Sequence, residues 1–167
     1  MKIILIIALF SCVSIIFAQE DIIESKNVQL PKNEIAFSVG ENIWFSLMTG
    51  DNIGFGSYTF SYHYRPKKWL WYGANFNVFV IQDIPNFFTL ISLAPSIRFS
   101  YLNKPSATLY SGLSLGLGVT VPLADVKFVP FFQATLFGFS IGKQYFAGGE
   151  IGLGFKGLVC ANIGKRF

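Results

Sequence analysis

Apolar and polar residues alternate one by one along most of this chain. Within 107–121, Leu109, Leu113, Leu115, Leu117, Val119 and Val121 share one parity, and Thr108, Tyr110, Gly112, Ser114, Gly116, Gly118 and Thr120 take the other. Successive side chains of a strand point to opposite faces, so this is strand spacing and not the 3.6-residue repeat of a helix. Ala147, Ile151, Leu153 and Phe155 alternate in the same way with Gly148, Glu150, Gly152 and Gly154, and Leu70, Tyr72, Ala74, Phe76, Val78 and Val80 with Gly73, Asn75 and Asn77. Read through, the pattern predicts eight strands over 34–48, 55–65, 69–81, 87–101, 107–121, 128–141, 144–155 and 158–167. The first and sixth are less regular, because Glu41 interrupts the apolar face of one and Pro130 sits early in the other, and a bulge or a displaced start would account for either.

Alternation does not say which face is wet. A soluble strand carries Lys and Glu on its water face, yet the third to seventh strands hold two charges only, Arg98 and Glu150. A face of Gly, Ser, Thr and Asn suits a crowded polar lumen better than bulk water. The apolar face is then expected to meet lipid, where closing the sheet into an antiparallel, eight-stranded transmembrane β-barrel satisfies every backbone group.

Composition agrees with that expectation. The chain is 52% hydrophobic, 17% aromatic and only 13% charged, with a mean hydropathy of +0.50. Past the N-terminus, however, no stretch reaches the ~20 apolar residues of a spanning helix. The hydrophobicity is dispersed, as in membrane strands.

The N-terminus is a different kind of segment. Met1-Lys2 supplies a positive start, 3–17 is apolar apart from Ser11, Cys12 and Ser14, and Ala18 precedes Gln19-Glu20-Asp21. This reads as a secretory signal peptide over 1–18, followed by a periplasmic lead-in over 19–33 and the barrel domain over 34–167. A helix over 3–18 would be only ~24 Å long against a ~30 Å hydrocarbon core, which disfavours a retained anchor. Leu9-Phe10-Ser11-Cys12 is a poor lipoprotein site, since Phe10 is bulky and the apolar run continues past the cysteine. Removing the segment leaves Cys160 as the sole cysteine, so no intramolecular disulfide is expected. It also takes Lys2 from the 13 basic residues, which against 9 acidic ones leaves +3, too mild to argue for nucleic acid.

The two ends of the expected barrel differ in chemistry. With a periplasmic N-terminus, the periplasmic turns are Arg65-Pro66-Lys67-Lys68, Asn103-Lys104-Pro105 and Gly142-Lys143. The same end gathers Tyr62, Tyr64, Trp69, Trp71, Tyr72, Tyr101, Tyr110, Tyr145 and Phe167, an aromatic girdle of the kind found at membrane interfaces. The outer connections carry Asp51, Asp83 and Asp125, and the last of them, around Lys156-Gly157, is barely a turn.

With its signal peptide, its segments Tyr64-Arg65-Pro66-Lys67-Lys68-Trp69 and Ser111-Gly112-Leu113-Ser114-Leu115-Gly116-Leu117-Gly118, and its end Ile163-Gly164-Lys165-Arg166-Phe167, the chain resembles the small eight-stranded outer-membrane β-barrel domain family of Gram-negative envelopes. The resemblance covers nearly all of the mature chain. It implies residence in the cell outer membrane, contact with outer-membrane lipid and lipopolysaccharide, and recognition by the barrel-assembly machinery through a last strand with Val159, Ala161, Ile163 and Phe167 on one face. Lys165 departs from the aromatic or apolar residue of that pattern and is expected to snorkel to the headgroups.

Candidate chemistry is sparse, and no catalytic, cofactor or metal site is expected. Arg98 and Glu150 both face the lumen, where an unpaired charge would be costly, so they are expected to pair in an internal network. Ser61 and His63 offer the residue types of a lipid-deacylating enzyme, but with Tyr58, Phe60, Tyr62 and Tyr64 toward lipid they point into the lumen, side by side, without an acidic orienter. The three outer aspartates match ordinary turn chemistry, and the glycines of 112–118 alternate along a strand without the Lys-Ser/Thr of a phosphate loop. An eight-stranded barrel is just wide enough for its own side chains. The leading expectation is thus a non-enzymatic barrel with an envelope-structural, adhesive or small-ligand-binding role. The alternatives are a lipid A deacylase-like enzyme, a narrow channel, and a soluble lipocalin-like periplasmic binder.

Overall fold

The computed structural model describes residues 30–41, 56–83, 86–121 and 128–167. The expected signal peptide, the lead-in up to residue 29, the stretch 42–48 of the expected first strand, and Asp51 and Asp125 lie outside the described residues. Within them the chain forms eight strands: β1 Asn33–Gly40, β2 Ser57–Lys67, β3 Leu70–Asp83, β4 Asn86–Lys104, β5 Ala107–Val121, β6 Phe128–Ile141, β7 Tyr145–Gly154 and β8 Val159–Arg166. Each pairs antiparallel with the next, and β1 with β8, so the sheet closes into a barrel. Reciprocal bonds join the seam at its end, from Asn33 N to Phe167 O at 2.8 Å and from Phe167 N to Asn33 O at 3.0 Å. Closure removes the two edges that an open sheet would expose.

Parity assigns the faces. Phe37 and Val39 of β1, Tyr58, Phe60 and Tyr62 of β2, Leu113, Leu115 and Leu117 of β5, and Val159 and Ile163 of β8 all point outward and are exposed. Inward, the largest fully buried side chains are polar throughout, His63, Gln133, Asn75, Asn77 and Thr59 among them. The distribution is that of a soluble protein turned inside out.

The irregular strands have separate causes. Among the described residues β1 runs to Gly40, and Glu41 lies just past it, donating its N–H to Val159 O at 3.1 Å. In β6 a register shift between Thr135 and Phe137 puts Leu136 and Phe137 on one side of the ladder and restores the inward parity at Gly138 and Ser140. Pro130 is paired on one side only, by Leu117 of β5, because the β6–β7 ladder begins at Gln133. A missing N–H is tolerated there. β4 runs past its expected end at 101 to Lys104, with a further register shift between Ser100 and Leu102.

Three expectations need correction. Trp71 and Tyr110 are 3% and 4% exposed and fill the interior instead of joining the outer girdle, which keeps Tyr62, Trp69, Tyr72, Tyr145 and Phe167. Both obey the alternation of their own strands, Trp71 lies under the Arg65 guanidinium, and a glycine stands against the Tyr110 ring. A Cβ on Gly138 would lie 2.4 Å from the Tyr110 ring. Arg65, expected in a turn, lies in β2 with its side chain buried. Phe155, expected on the outer face, is buried, because β7 ends at Gly154 and the following turn folds inward. There it joins Phe79, Leu90 and Ala94, with Val129 and Phe131 against them, in an apolar cluster toward the end of the barrel opposite Asn33 and Phe167.

That turn depends on Gly157, whose φ is +88° and whose pro-chiral hydrogen faces the Glu41 carbonyl; a Cβ would stand 1.7 Å from its oxygen. Gly157→Ala is expected to cost about 1–3 kcal/mol from the backbone conformation alone, and more because the obstruction is backbone. Urea unfolding of the folded barrel measures it, and an unchanged midpoint would contradict the turn geometry.

Candidate functional site

The charged residues of the interior converge on two carboxylates. Glu34 of β1 shares its parity with Ala36 and Ser38, which brings its side chain inside. Its Oε1 accepts from Arg98 Nη1 of β4 at 2.9 Å, and its Oε2 from Arg166 Nε of β8 at 3.0 Å. Glu150 of β7 is the busier group. Oε1 accepts from Arg98 Nη2 at 3.1 Å and from the Tyr110 hydroxyl of β5 at 2.8 Å, and Oε2 from Lys156 Nζ at 3.1 Å and Thr135 Oγ1 of β6 at 3.2 Å. Arg98 thus bridges both carboxylates while its guanidinium lies 4.7 Å over the Tyr110 ring.

The network ties together β1, β4, β5, β6, β7 and β8. Lys156 enters it from the β7–β8 turn, with its backbone N–H held by Gln133 Oε1 at 2.8 Å. Arg166 completes the other end by donating to Gly142 O at 3.1 Å and to Ser140 Oγ, its guanidinium 4.5 Å over the Phe146 ring. The expected pair of Arg98 and Glu150 is therefore present as part of a larger array. A buried charge isolated from partners would be strongly unfavourable, and here each carboxylate oxygen has at least one cationic or hydroxyl donor.

Ser61 and His63 are buried side by side on β2 and do not engage each other. His63 Nε2 meets Ser96 Oγ of β4 at 2.9 Å, and Ser61 Oγ has no hydrogen-bond partner among the described residues. Glu34 faces His63 across the β1–β2 ladder, but both its oxygens are engaged by arginines. The carboxylate opposite the imidazole is thus committed elsewhere. Neither residue is open to the outer face. Further along β2 and β3, Thr59 binds Asn77, Asn77 binds Ser92 at 3.1 Å, and Asn75 binds Ser114 at 2.9 Å.

A space of about 10 Å³ between Glu34, Trp71, Arg98 and Tyr110 could hold at most a single water. Asp83 ends β3, and no group of three or more His, Cys, Asp or Glu side chains able to hold a metal is found among the described residues.

Sequence reasoning missed Glu34, Lys156 and Arg166. The first and last were available from parity, Glu34 with Ala36 and Ser38, Arg166 with Cys160 and Asn162. Lys156 was not, because a turn residue carries no alternation. Comparison with family models, curated proteins and solved structures returns no match to the chain.

Proposed function

We propose that this chain is an outer-membrane β-barrel protein without enzymatic activity, exported through its N-terminal signal peptide, whose filled barrel serves an envelope-structural, adhesive or small-ligand-binding role. The observation that carries the proposal is the inverted exposure: Leu93, Leu115, Leu117, Ile141, Ile151 and Ile163 point outward on a closed sheet while Ser, Thr, Asn and charged groups fill the inside. Each such side chain is worth about 1.5–3 kcal/mol when removed from water. A belt of them around a barrel favours a lipid environment by far more than a marginally stable domain could forgo in solution.

The interior supports a static body over the channel alternative. Inside the barrel lie the salt bridges of Arg98 and Glu150 and the buried apolar cluster of Phe79, Leu90 and Phe155. The enzyme alternative is disfavoured by the separation of Ser61 from His63 and by their burial. Two measurements test these roles. Lipid A from cells expressing the chain is expected to keep its acyl pattern in mass spectra, with Ser61→Ala making no difference, and a lost acyl chain abolished by that substitution would install the enzyme instead. Planar-bilayer recordings are expected to show no steady conductance.

A further inference from the structure

We infer that the groove between the chain entering β1 and the β2–β3 turn binds the headgroup of an anionic phospholipid, an inference that rests on the membrane reading above. The groove has a volume of about 700 Å³. Among the described residues its apolar walls are Leu30, Pro31, Pro66 and the Phe167 side chain, Asn33 lies beside them, and the charged side chains lining it are the cations Lys32, Arg65, Lys67 and Lys68.

The groove is a built feature. Arg65 N–H donates to Lys32 O at 2.7 Å and its guanidinium donates to Pro31 O, so the segment entering β1 is fastened across the end of the barrel. The same guanidinium lies 4.5 Å over the buried Trp71 ring, which anchors it from below. Lys32, Lys67 and Lys68 are exposed around it.

Position and charge select the occupant. The site sits at the rim of the outer apolar belt, beside Tyr62, Trp69 and Tyr72, the depth at which aromatic residues mark the junction of hydrocarbon and headgroups. Lys67 lies 5.6 Å over the Trp69 ring, so its ammonium is held at that level. The end of β4 and the turn between β6 and β7 add Lys104 and Lys143, both exposed, while the carboxylate of Glu34 at this end is turned inside and bound by two arginines. Exposed side-chain charge at this end is therefore positive among the described residues. A phosphodiester carrying net negative charge matches the cations, and its glycerol and upper acyl segments match the apolar walls, which free phosphate would leave empty.

The test uses the full folded chain in neutral detergent, with native mass spectrometry counting retained lipid. Phosphatidylglycerol is expected to be retained roughly tenfold or more in preference to phosphatidylcholine, and the triple variant Lys32→Gln, Lys67→Gln, Lys68→Gln is expected to lose that preference. Lys104→Gln with Lys143→Gln, outside the groove, is expected to keep most of it. Equal retention of the two lipids by a barrel that is folded would overturn the inference while leaving the membrane reading intact, whereas failure of the chain to fold in detergent would count against the membrane reading itself. Loss of preference in the control pair as large as in the triple variant would overturn the groove in favour of a diffuse charge effect. Displacement of the lipid by an equal concentration of inorganic phosphate would overturn the lipid assignment.

Discussion

Glu150→Gln is expected to destabilise the folded barrel by about 3–5 kcal/mol, the range for removing one charge from a buried pair. The substitution keeps the shape of the side chain, so no cavity contributes. It removes the negative charge that Lys156 and Arg98 face at 3.1 Å, leaving Glu34 as the remaining carboxylate of the array, already shared by Arg98 and Arg166. Lys156 suffers most, because Glu150 supplies its ion pair and its ammonium is folded into the interior from a turn. Adding Lys156→Met to Glu150→Gln should therefore restore part of the loss, with a coupling of about 1–3 kcal/mol in a double-mutant cycle. Urea unfolding of the barrel in lipid vesicles measures both. A loss below about 1 kcal/mol, the scale of an exposed pair, would mean that the array does not hold the strands together.

Leu115→Arg is expected to cost about 2–4 kcal/mol in a bilayer, the value for Arg near the midplane on the outer face of a barrel. Leu115 lies mid-way along β5, points outward, and is 60% exposed. The same substitution separates the two environments that alternation leaves open. On a water-facing strand an exposed Leu→Arg change would stay within about ±0.5 kcal/mol. The neighbouring inward Ser114, bonded to Asn75, offers the matching control, since a charge placed there would meet a crowded polar interior in either environment.

The eight strands and their closing order were legible because one signal, a period of two, governs nearly every strand. β5 and β6 fall where alternation puts them, whereas β4 takes in Asn103 and Lys104 of the expected turn. Errors arose where a second rule takes over. Trp71 and Tyr110 were assigned by residue type to an interface girdle although their parity was inward, and parity prevailed, for Tyr110 with Gly138 clearing space for its ring. Phe155 and Lys156 lie where the strand has ended and a positive-φ glycine turns the chain, so alternation no longer applies to them. The bulge in β6 shifts parity midway and blurs the pattern in just the strand that read poorly.

The candidate site was legible only in outline. Two lone charges in a nearly uncharged sheet predict a partner for each, and Arg98 and Glu150 do meet. Their joint partners could not be read, because the stagger between strands, set by closure of the β1–β8 seam, decides which levels of β1, β4, β7 and β8 coincide. Glu34 and Arg166, far apart in the chain, sit at opposite ends of a sequence in which neither is unusual.

The most direct test of a closed barrel with its apolar face in lipid is electrophoretic. The chain, folded into phospholipid vesicles and run in dodecyl sulfate, is expected to migrate faster unheated than after boiling, and to resist protease until heated. A chain that stays soluble and monomeric without lipid or detergent, with the same mobility before and after boiling, would contradict the account.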